Sequence, residues 1–310
     1  ANTMEITIKR NEIESALSTF LDSMKGNTGR AYRKDIGDFL TFGAFDLAGT
    51  IAYFDSLARD GYSASTIERK RASLSKFFAI LTENGMITTN PFRTETFKCS
   101  MRKNTQTAAK TGGRGNKPGA HHLSENDLSK MLALCDGTLT GLRNRAILLL
   151  GAREGLRRSE ISALRWNDIE QTPEGRALII RGSKSGITER VKLFEGVYQA
   201  LTELRATYRT QGIDSEYVIV SVASNGRGSK VSGVSINETI KALAIRAGVL
   251  NAEEITAHDL RHTAAVSMHA AGVPVSSISR MLRHKDIKVT MIYLETLGLH
   301  EDKALNGLAW

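Results

Sequence analysis

An arginine, several imidazoles and a tyrosine stand within the segment A-H-D-L-R-H-T-A-A-V-S-M-H-A-A-G-V-P-V-S-S-I-S-R-M-L-R-H-K-D-I-K-V-T-M-I-Y, residues 257–293. His258 and Arg261 are three positions apart, which places both on one face of a helix. His284 and Tyr293 follow a glycine-containing turn and a second short helix. These side chains suit reaction at a phosphate: a guanidinium grips the oxygens, imidazoles handle protons, and a phenol oxygen can attack phosphorus. In a basic chain, that set points to an enzyme that cuts DNA.

Other positions could join such a site. In Gly155-Leu156-Arg157-Arg158-Ser159-Glu160 the glycine ends one helix, while Ser159 and Glu160 suit the start of the next. An arginine at such a junction is equally at home on a plain surface. Lys184 falls at the tip of an expected hairpin, where most lysines only solubilise, although a long cationic arm on a turn can reach a substrate and donate a proton. His262, beside Arg261, reads as a buried, hydrogen-bonded support. Tyr293 taken alone is not specific, because most tyrosines are packing residues. Residues 264–284, with Ala271-Gly272-Val273 at the turn, also resemble a helix-turn-helix with residues 276–284 as recognition helix. That pattern binds DNA without cutting it.

The elements that must carry these residues are mostly helical. Ile13, Leu17, Phe20 and Leu21 form one apolar stripe, and Tyr32, Ile36, Phe39 and Leu40 a second. A third stripe, Ile67, Leu74, Phe77, Phe78 and Leu81, follows a capping-type Ser65-x-x-Glu68. Its outer side carries Arg69, Lys70, Arg71 and Lys76, which form either a solvated face or a track for a phosphate backbone. Asn90-Pro91 stops the helical pattern. Residues 101–120 hold Arg102, Lys103, Lys110, Arg114 and Lys117, four glycines and no acid. Without periodicity, they read as a flexible basic linker, either a solvated tether or a strand lying along DNA.

A second unit starts at Leu123, with Ser124-x-x-Asp127 capping a helix and a strongly apolar helix over 142–151. Ala177–Ile180 and Arg190–Leu193 flank R-G-S-K-S-G-I-T-E, a strand, a turn and a second strand. The expected fold class is therefore mainly α with a small β element. A helical unit spans 1–100, a linker 101–121 and a mixed α/β unit 122–310.

Bulk properties agree with this reading. A length of 310 residues suggests about two domains. The net charge of +9 favours a polyanionic partner. Cys99 and Cys135 lack metal-ligand spacing, so neither a metal site nor a disulfide framework is expected, and free thiols fit a reducing cytoplasm. The opening ANTMEITIKRNEIE has no apolar core of a signal peptide. The apolar run 146–152 is too short to cross a bilayer, so no membrane role is expected.

Taken jointly, the two motif clusters resemble the tyrosine recombinases, the phage-integrase family, in the compact two-domain form of the Xer and Cre recombinases. The resemblance covers nearly the whole chain. S-A-S-T-I-E-R-K-R-A-S-L-S-K-F-F-A-I-L-T-E-N-G-M-I-T-T-N-P is similar to the end of the family's helical, SAM-like core-binding domain. L-R-N-R-A-I-L-L-L-G-A-R-E-G-L-R-R-S-E-I-S-A-L-R-W-N-D-I resembles its first catalytic box. The H-x-x-R pair, His284 and Tyr293 resemble its second, with spacings of 293 − 261 = 32 and 293 − 284 = 9 that fit the family.

The resemblance implies roles. Arg157 and Arg261 would hold the scissile phosphate, and Lys184 would protonate the leaving 5′ oxygen. His258 would move the tyrosine's proton, His284 would hydrogen-bond near the phosphate, and Tyr293 would form a 3′-phosphotyrosyl link. Glu160 matches a supporting acidic position. The resemblance further implies a clamp on double-stranded DNA at short inverted-repeat sites, and a homo-tetramer that exchanges strands through a Holliday junction. It implies no metal, no cofactor and a cytoplasmic, nucleoid-associated location. The core-binding unit begins almost at the first residue, so an additional arm-site-binding domain is not expected. Ala304, Leu305, Leu308 and Trp310 form an apolar tail suited to docking on a neighbouring subunit or on its own domain.

Two departures stand out. Ala152-Arg153-Glu154 replaces a small residue and threonine, and Leu282-Arg283-His284 replaces leucine-glycine-histidine. Arg283 is thereby a candidate phosphate contact or a modifier of the tyrosine-bearing segment. Lys184 is the least direct of the carried-over positions, because hairpin length varies and Lys192 lies nearby. Two other functions fit the same residues: a related cut-and-rejoin enzyme, such as a relaxing topoisomerase or hairpin-forming resolvase, and a DNA-binding regulator that never cuts.

Overall fold

In the computed structural model, which describes residues 10–110, 122–181 and 188–291 apart from Ser23, Lys25, Ala44, Lys285, Lys288 and Val289, the apolar stripes fold as helices. The chain divides into two units, residues 1–118 and 119–310.

The first unit contains α1 (Arg10–Asp22), α2 (Gly26–Phe42), α3 (Leu47–Arg59), α4 (Ala64–Glu83) and α5 (Glu95–Lys110). Its core is aromatic. Phe39 meets Tyr53 and Phe78 edge-on, with ring centroids 5.1 and 5.5 Å apart, an arrangement that the ring quadrupoles favour. Phe54, Phe92 and Phe97 continue the cluster towards α5. The cap of α4 is Ser63, whose hydroxyl accepts from the Thr66 backbone N–H at 3.3 Å, two residues before the expected Ser65.

The linker expectation is corrected over 101–110, which continue α5. Asn104, Thr105 and Thr107 are weak helix formers, but Phe97, Met101 and Ala108 lie on one buried face. Asn104 also donates to Asp55 on α3 at 2.7 Å. Tertiary burial thus outweighs composition. Arg102 and Lys103 are exposed on α5, whereas residues 111–121, with Arg114 and Lys117, and the side chain of Lys110 lie outside the description.

The basic outer face of α4 is also corrected. Lys70 points inward and is buried, its ammonium 2.6 Å from Asp38 and 3.4 Å from Asp35 of α2. Two carboxylates on the neighbouring helix draw the charge in, because a buried ammonium needs partners. Burial pulls its pKa down, but the Asp38 hydrogen bond and the nearby charges outweigh this and leave it raised. Arg69 is exposed and pairs with the same Asp35, and Arg71 pairs with Glu68. Lys76 is exposed, with its ammonium 5.7 Å from the Tyr32 ring.

The second unit contains α6 (Glu125–Ala133), α7 (Leu139–Ala152), α8 (Arg158–Ala163), β1 (Ile169–Thr172), β2 (Gly175–Arg181), β3 (Thr188–Lys192), α9 (Glu195–Thr210), α10 (Gly233–Arg246), α11 (Ala257–Ala270) and α12 (Val275–Met281). Ser124 caps α6 as expected, accepting from the Asp127 N–H at 3.0 Å. The apolar α7 is the central helix, with Ala146, Ile147, Leu148 and Leu150 fully buried. The sheet is antiparallel in the order β1-β2-β3, pairing Ile169 with Leu178 and Leu178 with Val191. Its first strand was not anticipated. Residues 169–172 are too short and too polar to read as a strand alone, and they are recruited by pairing with β2. The architecture is mainly helical with one small sheet, as expected.

Candidate functional site

The junction between α7 and α8 is built around Gly155. Its φ of +64° is in the left-handed region, and a Cβ there would lie 2.3 Å from Leu282 Cδ2. Only glycine lets the backbone turn and touch the end of α12 at once. Past this turn, Arg157 precedes α8. Glu160 reaches back so that its carboxylate accepts from the Arg157 backbone N–H at 2.7 Å and from Arg157 Nη1 at 2.7 Å.

Helix α11 delivers the H-x-x-R pair. Thr256 caps it, and the Asp259 carboxylate accepts from the Thr256 N–H at 2.8 Å, a capping box that sets the helix start. Ala257, Leu260, Ala264 and Ala265 pack inward, while His258 reaches solvent at one edge with its ring partly covered against His262. Arg261 is buried, and Nη1 donates to the Gly155 carbonyl at 2.6 Å while Nη2 donates to the Leu282 carbonyl. The next carbonyl, that of Arg283, accepts from Arg157 Nη2 at 2.8 Å. The structure therefore brings Arg157 and Arg261 together on consecutive carbonyls at the end of α12. Arg157 remains 44% exposed, so a phosphate can reach it.

The imidazoles line the same place. His258 and His262 meet edge to face with ring centroids 4.4 Å apart, and His262 is buried as expected. His284 Nδ1 lies 2.7 Å from Thr290 Oγ1. All three are driven towards neutrality. Burial and then neighbouring positive charge lower His262 to about 3 and His284 to about 4. Burial lowers His258 as well, and Arg261 and Arg157 add to this against the opposing charge of Asp259.

Arg283 is placed differently from the expectation. It adopts φ +56°, a conformation that costs a non-glycine residue about 1–2 kcal/mol. Its side chain is 2% exposed and donates to Glu160 at 2.6 Å. A buried guanidinium already paired to a carboxylate is not a surface phosphate contact, so that reading is corrected. Glu160 feels burial pushing its pKa up, but Arg283 and the Arg157 hydrogen bonds hold it below the ordinary range. The second departure, Glu154, is fully buried and accepts from the Phe194 N–H at 2.8 Å. Burial raises its carboxyl to about 7, against the charges of Arg283 and Lys192.

Asp259 and Thr290 were not singled out from sequence, and Glu154 stood out there only as a departure from the family pattern. Only Glu154 left a signal, an acid inside an apolar stretch ending in glycine. Lys192 is exposed on β3, with its ammonium 5.9 Å from the Phe194 ring. Lys184 and Tyr293 lie outside the described residues; β2 and β3, which flank Lys184, pair up to Arg181 and Thr188. The expected second helix over 276–284 runs instead over 275–281.

Residues 121–298, more than half of the chain, match the model of the phage integrase family. The chain belongs to the phage integrase family and is a tyrosine recombinase of Xer type. Tyrosine recombinase XerD of Rhizobium meliloti (strain 1021) is 28% identical over 288 residues, covering 87% of this chain and 85% of that protein. Tyrosine recombinase XerC of Xylella fastidiosa (strain 9a5c) is 27% identical over 280 residues, covering 87% and 86%. The Tn1549 transposon integrase, solved in complex with a circular-intermediate DNA, superposes with a TM-score of 0.66 at 16% identity, over 94% of this chain and 99% of that one. That likeness concerns the fold.

Among the described residues of this tyrosine recombinase, no helix is long and apolar enough to cross a membrane, and no group of three or more His, Cys, Asp or Glu side chains is placed to hold a metal ion.

Proposed function

We propose that this recombinase cleaves and rejoins double-stranded DNA at short inverted-repeat sites through a 3′-phosphotyrosyl intermediate. Cleavage exchanges one ester for another. The Tyr293 oxygen bonds to phosphorus, the bond from phosphorus to O5′ breaks, the tyrosine proton passes to His258, and Lys184 protonates the departing O5′. Religation by a partner strand reverses each transfer. Because one phosphodiester replaces another, the step needs no nucleotide cofactor.

The observation that carries this reading is the convergence of Arg157 and Arg261 on the carbonyls of residues 283 and 282, beside His258 and His284. Negative charge spreads over the phosphate oxygens in the transition state. The half-exposed Arg157 offers its guanidinium to them, and Arg261, whose Nη atoms donate to two carbonyls, places fixed positive charge behind the site. His258, with its pKa lowered, is neutral at pH 7 and able to accept the phenol proton. His284 is neutral too and donates a hydrogen bond to the phosphate. Glu160 holds Arg157 in place.

Strand exchange between two duplexes through a Holliday junction calls for four subunits. An apolar groove lined by Leu149, Ala152, Phe194, Val197, Ala264 and Met268 supports this assembly. It suits the tail residues Ala304, Leu305, Leu308 and Trp310 of a neighbouring chain.

The test is covalent trapping of wild type and Tyr293→Phe on fragmented DNA of the source replicon, with peptide mapping and sequencing. The expected result is an adduct at Tyr293 that the variant lacks. An adduct at another residue overturns the assignment. Binding by both proteins with no adduct favours a regulator that does not cut.

A further inference from the structure

Residue 283 joins the parts of the site, and its side chain is the unexpected one. Its carbonyl holds Arg157, the preceding carbonyl holds Arg261, and the following residue is His284. A glycine would adopt the left-handed backbone at lower cost and present the same carbonyls. The arginine adds a guanidinium that runs back under α8. Nη2 donates to Glu160 Oε2 at 2.6 Å, and Nη1 donates to the Met281 carbonyl at 2.8 Å. Nε lies 3.8 Å from Glu189 of β3.

Glu160 is thus shared. One oxygen, Oε1, accepts from the Arg157 guanidinium, while Oε2 accepts from the Arg157 backbone N–H and from Arg283. Held only by the Arg157 backbone N–H at Oε2 and the half-exposed guanidinium at Oε1, the carboxylate could pivot about its single fixed anchor. A second, buried guanidinium that accepts no other orientation removes that freedom, since charge-assisted bonds are short and directional. Glu154 fits the same arrangement: it is a second buried acid near the same guanidinium.

We propose that Arg283 is a positioning residue, which fixes the Glu160 carboxylate and through it the angle at which Arg157 meets the scissile phosphate. This rests on the recombinase reading above. The geometry makes Arg283 a local replacement for backbone freedom: the strained turn is retained, and the side chain gains a second hold on Arg157.

Arg283→Gly isolates that hold, because glycine keeps the turn and both carbonyls. The experiment measures single-turnover cleavage of a nicked duplex carrying the site recovered by trapping, together with affinity for the intact duplex. Arg283→Gly is expected to lower cleavage on the order of 10²-fold, the scale of a small misplacement near chemistry, with affinity within about threefold because only a buried contact is lost. Arg283→Lys keeps the charge without the planar fork and is expected to fall between the two. Arg283→Gly combined with Glu160→Gln is expected to cleave no more slowly than Glu160→Gln alone, since both act on one link.

Wild-type cleavage by Arg283→Gly overturns the proposal, as does a multiplicative loss in the double variant. If glycine abolishes folding, Arg283→Lys decides, and a wild-type rate there overturns it. A wild-type protein that forms no covalent complex sinks the recombinase reading and this inference with it. A wild type that cleaves, matched by Arg283→Gly, sinks the inference alone.

Discussion

The Arg157 guanidinium donates to the main-chain carbonyl of Arg283 at 2.8 Å, one residue beyond the carbonyl that receives Arg261. Two side chains 104 positions apart (261 − 157 = 104) are aligned by one helix end. The same geometry separates their consequences.

Arg157 is half-exposed and Arg261 is buried on two carbonyls. Each alanine variant should lose about 10²–10³ in cleavage rate, as when one oxyanion donor is removed. Arg261→Ala should also lose the more stability, about 2–4 kcal/mol, because the Gly155 and Leu282 carbonyls are left buried without their donor, whereas water can replace the half-exposed Arg157 at the Arg283 carbonyl. Rapid-quench cleavage and thermal unfolding of both variants check this. Equal unfolding temperatures would contradict the placement of Arg261.

His258 has its pKa lowered below the ordinary 6.5 by burial and by Arg261 and Arg157. Acting as a neutral base, it should keep the cleavage rate level from pH 8 down to 6.5, with the acid limb falling below that value. A pH–rate profile in single turnover tests this, and a limb centred above 6.5 would remove His258 from the role.

Glu154 is raised from 4.5 to about 7 by burial. Between those values the folded state binds more protons than the unfolded state, so this group's contribution to stability is present below 4.5 and lost as pH rises to 7. Glu154→Gln should match wild type near pH 4.5 and become the more stable protein by pH 8, by up to about 3 kcal/mol. Denaturant unfolding across that range measures the difference. A gap that does not change with pH would show that the carboxyl does not titrate there.

Gly155→Ala combines a left-handed φ with a Cβ 2.3 Å from Leu282. About 2–4 kcal/mol of destabilisation follows from strain and overpacking. Leu282→Ala in the same chain should return part of it by vacating that space. Unfolding of both single variants and the double variant decides, and simple additivity would refute the contact.

Lys70 is paired inside the helical unit, whereas Arg102 and Lys103 are exposed on α5. Lys70→Ala should cost about 2–4 kcal/mol, because Asp35 and Asp38 lose the buried ammonium they share while Asp35 keeps only Arg69. Replacing Arg102 or Lys103 should leave unfolding unchanged and reduce the slope of log affinity against log salt by about 1 each, if they touch phosphate. A flat salt response of the wild type would remove DNA as the partner.

Local spacing was enough to determine the helical periodicity, the cap at Ser124, the start of α8 and the strand runs of β2 and β3. Each of these depends on residues within a few positions of one another, where helix and strand periods act directly. The tertiary structure decided what depends on remote partners. The carboxylates of α2 turned Lys70 inward, the apolar contacts of Phe97, Met101 and Ala108 made a helix of a polar stretch, and β2 recruited β1. Arg283, whose place in the sequence suited a phosphate contact as well as a change in the tyrosine-bearing segment, became a buried guanidinium on Glu160. Its energy is set by a carboxylate 123 positions away (283 − 160 = 123), and burial and charge pairing are properties of that encounter rather than of the residue.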